Sequence, residues 1–113
     1  MVKTNSGLNR LRDLWTADVH SVVLGTGNTP IDGSETSVEG ELSATEQTPI
    51  IASGNNEVRL THTLNAATAN GEIITKIGVY SNNGNTLDDI YIFPPFDKTE
   101  NIELITTITT RWR

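Results

Sequence analysis

Any chemistry in this chain would have to come from fourteen acids, two histidines and a supply of hydroxyls, with no cysteine among its 113 residues. Glu39 and Glu41 share one face of an expected strand. Paired carboxylates can serve a glycosidase as acid and nucleophile, but neighbouring acids on an exposed strand are ordinarily solvated and discourage edge-to-edge pairing. His20 and His62 fall in separate strands among apolar and Thr neighbours. Zinc takes three or four convergent ligands with supporting partners, and no such cluster is present. Asn82, Asn83, Asn85, Asp88 and Asp89 crowd oxygens around Gly84. Amides dominate there, without the alternating carboxylates and closing bidentate acid of a calcium loop, so the segment reads as a turn and strand start. Gly25-Thr26-Gly27 follows a strand but lacks the third glycine, the Lys-Ser/Thr ending and the helix of a phosphate loop. It reads as a tight turn. No serine or acid is singled out for a Ser–His–Asp arrangement. The expectation is no catalytic residue, no metal ligand and no cofactor.

The elements that would position these residues are mostly strands. Ser6 or Asn5 can cap a helix over Gly7 to Ala17, with Leu8, Leu11 and Trp15 on one stripe widened by Leu14, and Arg10, Arg12 and Asp13 facing away. Such a helix packs on a sheet face or an oligomer seam; at this length and basicity a membrane-surface role is the weaker reading. Val19 to Leu24 is β-branched and apolar. Val38, Gly40 and Leu42 alternate with Glu39 and Glu41 in a half-exposed strand running towards Thr48. Ser53 to Asn56 (SGNN) reads as a hairpin turn, followed by period-two alternation of Val58, Leu60 and Leu64 with Arg59, Thr61 and Thr63. Ala69-Asn70-Gly71 turns into a strand with Ile73, Ile77 and Val79 on one face. Ile90 to Phe93 is apolar on both faces and reads as central, ended by Pro94-Pro95. Ile102, Leu104, Ile108 and Trp112 then alternate with Glu103, Thr107, Thr109 and Arg111. The pattern predicts a mainly β protein: an antiparallel, jelly-roll-like β-sandwich with one short N-terminal α-helix, a single domain over residues 1–113 (helix to 17, strands from 18).

A net charge of −6 with few, scattered basic residues argues against nucleic acid and anionic membranes as partners. No apolar run reaches membrane length, and the opening segment is too polar for a signal peptide. Without cysteine, redox chemistry says nothing of the compartment. Aromatics make up only 5% of residues, so the placement of Trp15, Tyr91, Phe93, Phe96 and Trp112 matters. Trp112 sits where a chain end would fray, which suggests packing on the core or into a neighbour.

Read in order, VVLGTGNTP (Val22 to Pro30), ANGEII (Ala69 to Ile74), IGVY (Ile77 to Tyr80), IFPPFDKT (Ile92 to Thr99) and IELITTITTRW (Ile102 to Trp112) resemble small virion structural proteins of tailed bacteriophages and related archaeal viruses. Lys76 departs from that pattern, which often carries an acid before the Gly-x-aromatic. The resemblance implies a β-sandwich that decorates a capsid or forms part of a tail, fibre or baseplate, without catalysis and located in the virion after assembly in the host cytoplasm. It implies partnership with a major capsid or tail protein and a homo-oligomer, a trimer as first expectation. The expected contact residues are Leu8, Leu11, Trp15, Phe96, Trp112 and Arg113. The alternative is a receptor- or glycan-binding module of a fibre, with Tyr80 and the Asn82–Asn85 turn as its patch. A small glycosidase acting through Glu39 or Glu41 is the remaining class.

Overall fold

The computed structural model describes residues 4–54 and 57–111. In chain order it contains α1 (Asn5–Asp18), β1 (Val19–Gly25), a 3-10 turn (Ser43–Thr45), β2 (Ile50–Gly54), β3 (Glu57–Leu64), β4 (Ile73–Ser81), β5 (Thr86–Asp97) and β6 (Leu104–Arg111). The strands form two three-stranded antiparallel sheets, β1-β4-β5 and β2-β3-β6. Val22, Leu24, Ile74, Ile77 and Val79 from one sheet meet Val58, Leu60, Leu64 and Ile108 from the other in a single buried cluster. This is the expected β-sandwich with its N-terminal helix.

Period-two patterning explains β3 well: Val58, Leu60, His62 and Leu64 are buried while Arg59 is exposed. The β2–β3 pairing runs down to Gly54 opposite Glu57, as the hairpin reading requires; Asn55 and Asn56 lie outside the described residues.

The helix begins earlier than expected. Thr4, rather than Ser6 or Asn5, is the cap, its Oγ1 accepting the Gly7 amide at 3.1 Å. The packed stripe is also rotated. Leu8, Arg12 and Trp15 are half-buried, whereas Leu11 and Leu14 are exposed. Arg12 does not face away: its Nη1 donates to the Gly54 carbonyl at 2.5 Å and to Asn9 Oδ1 at 3.3 Å. A guanidinium on a long apolar stem can cover sheet surface and satisfy a strand-end carbonyl together, which leucine cannot.

The predicted strand from Val38 to Thr48 is not one. Gly40 turns the chain at φ +61°, and the 3-10 turn breaks the stretch again at Ser43, leaving single bridges from Glu41 to Gly25 and from Gln47 to Val22. The segment nonetheless seals the outer edge of β1. Leu42 donates to Leu24 O at 2.9 Å, Val22 and Gln47 exchange bonds of 2.8 and 3.0 Å, and the buried Thr45 hydroxyl takes the Leu24 amide at 2.9 Å. A side-chain oxygen here stands in for a missing ladder carbonyl.

Upstream, the same segment crosses the outer face of the β1-β4-β5 sheet. Val38 packs there with Val23 and Tyr80, flanked by Leu87 and Ile90, and its amide donates to Tyr80 Oη at 3.1 Å. Ile74 to Ser81 of β4 is therefore buried on both faces, not on one as the spacing of Ile73, Ile77 and Val79 suggests. The central strand is β4, and β5 is an edge. Its apolar IYIF run is two-sided because Ile90 faces the Val38 cluster while Phe93 packs against the main core. Nor do Pro94 and Pro95 end β5. They occupy a register shift between the Ile74–Phe96 and Lys76–Ile92 pairs, where an edge strand tolerates a missing amide.

Candidate functional site

Among the described residues, the expected contact residues do not form one patch. Leu11 and Trp15 line a groove of about 490 Å³ with Asp88, Asp89 and Thr110, and Trp15 Nε1 donates to Asp88 Oδ2 at 2.9 Å. A second register shift in β5, between the Val79–Asp89 and Tyr80–Leu87 pairs, leaves Asp88 unmatched on the ladder and presents it to the helix. Burial, then the adjacent Asp88 charge, pushes the Asp89 carboxyl above the ordinary range. Phe96, opposite Ile74, sits towards the other end of β4 and is half-buried against the core. Trp112 and Arg113 lie outside the described residues.

The turn at Asn82 to Asn85 folds on positive φ at Asn82, Asn83 and Gly84. Of the acids beyond it, Asp88 is committed to Trp15. Among the described residues no group of three His, Cys, Asp or Glu side chains is placed to hold a metal ion. The glycan patch needs correction as well. Tyr80 is buried and its hydroxyl receives the Val38 amide, so its ring offers no stacking face. What remains beside the turn is a polar hollow lined by His20, Glu41, Glu46, Tyr80 and Asn83.

The glycosidase pair also separates. Gly40 turns Glu39 away from Glu41. Glu39 accepts from the Thr29 amide (3.1 Å) and hydroxyl (2.6 Å) and from Lys76 Nζ (2.9 Å). The Thr29 hydroxyl, then Lys76, then the Thr29 amide lower the Glu39 pKa from 4.5 to about 2. Lys76, the residue that departs from the resemblance, is buried and also donates to Thr29 O at 2.8 Å. A lone charge inside the run IITKIGVY was the available signal for a paired, buried ion. Together these contacts tie the Gly25–Pro30 loop to β4.

Two further buried polar groups have partners that the sequence does not mark, although period two places His62 on the buried face of β3. Lys98 is fully buried. Its Nζ donates to Asn70 Oδ1 (2.8 Å), Thr99 O (3.0 Å) and Ala66 O (3.2 Å), while its backbone exchanges bonds with Gly71 and Glu72. The ANG turn and the FDKT segment, far apart in the chain, thus form one corner. The His62 ring is buried with Nε2 donating to Thr45 O at 2.6 Å, the carbonyl being an acceptor only, and with Nδ1 unpaired. Burial lowers its pKa from 6.5 against the opposing pull of the Thr45 carbonyl. The unfolded ring binds protons more readily, so its contribution is complete above pH 6.5 and is lost as pH falls through the lower folded value. Thermal midpoints should therefore drop more between pH 7 and pH 5 for the native chain than for His62→Gln, which keeps a donor for Thr45. Parallel drops would remove His62 from that account.

The remaining surface feature is apolar. On the side where β5 and β6 face each other, Tyr91, Phe93 and Ile77 line an open hollow with Thr106, Thr107, Ile108 and Thr109. Tyr91 is 40% exposed, Ile92 50% and Ile105 60%. A row of large apolar side chains along two uncovered strand edges suits protein contact better than catalysis. No protein-family model and no curated protein matches the chain.

Proposed function

We propose that this chain is a non-enzymatic structural protein of a virus particle, decorating or reinforcing the capsid or tail surface through repeated protein–protein contacts. Its partners are its own copies and a major capsid or tail protein, and it resides in the virion. The observation that carries the contact reading is the uncovered β5–β6 side with exposed Tyr91, Ile92 and Ile105. The virion reading draws on the ordered motifs from Val22 to Trp112. Two of them, ANGEII and IFPPFDKT, interlock through Lys98, which gives the motif order a structural reason. Multivalent placement on a lattice compensates for weak single contacts. Gold-labelled antibody against the chain, viewed on intact particles, tests the proposal. Label over the head or tail supports it. Absence of the chain from purified particles by mass spectrometry overturns it.

A further inference from the structure

Among the described residues, every outer strand of the two sheets except one is covered or carries a device against pairing. The β1 edge is sealed by the Leu42–Gln47 segment. The β2 strand is only five residues long. The β5 strand has two register shifts, Pro94 and Pro95, and three acids, Asp88, Asp89 and Asp97. Bulges, prolines, charges and shortness are the standard means of blunting an edge. None of them protects β6. It runs eight residues against β3 without a shift, contains no proline or glycine, and is uncharged from Leu104 to Thr110.

We propose that β6 pairs antiparallel with β6 of a second copy, about a two-fold axis at Thr107, joining two β2-β3-β6 sheets into one. The charges favour this register over a one-residue shift. With Thr107 opposite itself and the strand continued by one residue at its start, Glu103, which directly precedes β6, falls opposite Arg111 of the second copy, and the symmetry makes that pair twice. Ile105 falls opposite Thr109, also twice. Shifting by one residue places Arg111 opposite Leu104 and loses both ion pairs. An isologous arrangement needs such self-complementarity, and directly opposed unlike charges and β-branched pairs each favour a register. Within one copy Arg111 already holds Glu57 at 3.2 Å, so Glu103 would add a second carboxylate to an exposed guanidinium. The open hollow beside Thr106 to Thr109 flanks the axis, which places half-exposed Tyr91 where a second copy covers it. The closed unit is two-fold and not the trimer that the resemblance suggests.

This inference rests on the self-association part of the proposed function and is silent on the particle. The chain has no cysteine, so single introduced thiols report register without background. Thr107→Cys should form a disulfide-linked dimer of twice 12.3 kDa under mild oxidation. Ile105→Cys alone should not, because its two copies stand four residues apart along the pair, about 13 Å, beyond disulfide reach. Ile105→Cys mixed with Thr109→Cys should link. Thr107→Lys, with circular dichroism unchanged, should sediment as a monomer where the native chain sediments as a dimer. A monomeric or trimeric native chain, or self-linking by Ile105→Cys with none by Thr107→Cys, overturns the proposal. Either result leaves the labelling of particles standing on its own.

Discussion

Replacing Gly78 with valine should destabilise the protein by about 1–3 kcal/mol, the usual range for overpacking, and displace the segment that crosses the outer sheet face. Valine suits a central strand by propensity, so the expected sign runs against the local preference. The reason is the seat of Val38. A Cβ at Gly78 would collide with Val38 Cγ2 and lie 3.0 Å from Leu87 Cδ1, and a Cβ at Gly25 would meet Val38 Cγ1 and the Glu39 carbonyl. Two glycines on adjacent strands thus leave a hollow that one valine fills. Denaturant unfolding measures the loss, and amide exchange at Val38, whose proton is held by Tyr80 Oη, reports the displaced segment. Pairing Gly78→Val with Val38→Gly should recover part of the stability, because the added methyls then occupy vacated space. No recovery would mean that Leu87 or the strand backbone, not Val38, carries the cost.

The second large effect is expected at Lys98→Met, a loss of about 2–3 kcal/mol from charge-assisted hydrogen bonds. Methionine fits the stem's volume but leaves the oxygens of Ala66, Asn70 and Thr99 without their shared donor. Replacing a buried ion pair by apolar groups can be neutral when both partners go. Here the hydrogen-bonding partners include two main-chain carbonyls, which cannot be removed. The loss should be concentrated in the corner formed by the ANG turn, seen as faster exchange of the Gly71 amide, which the Lys98 carbonyl accepts. If Lys98→Met melts with the native chain, the three contacts contribute nothing net.

How much of this was legible beforehand varies with the physical signal. The alternation of Val58, Leu60 and Leu64, and of Leu104 and Ile108, reads directly as strands facing one core, because one face of each is covered and the other wet. The helix was legible by period, but its packed face was not: period assigns Arg12 to solvent, whereas the strand-end carbonyl of Gly54 draws it inward. The IYIF run shows two apolar faces but not which neighbour lies beside it, so edge and centre look alike. The stretch from Val38 to Thr48 alternates like a strand while Gly40 and the 3-10 turn keep it from pairing as one. At the candidate site, the type and spacing of Leu11 and Trp15 marked a helical stripe, and the two residues line one groove. The burial of His62 was legible from its place on the Val58–Leu64 face, but the partners of His62 and Lys98 were not, because they are mainly backbone carbonyls, which leave no mark on composition or pattern.

The seat of Val38 also bears on the order in which the molecule assembles. Gly25 and Gly78 become neighbours only when β1 has paired with β4, so the hollow does not exist until that sheet is formed. The crossing segment between β1 and β2 therefore finds its seat only on a surface that β1–β4 pairing has made. Contacts formed after the transition state weigh on the rate at which the native molecule opens rather than on the rate at which it forms. A single valine over two glycines thereby acts as a latch on the finished sandwich.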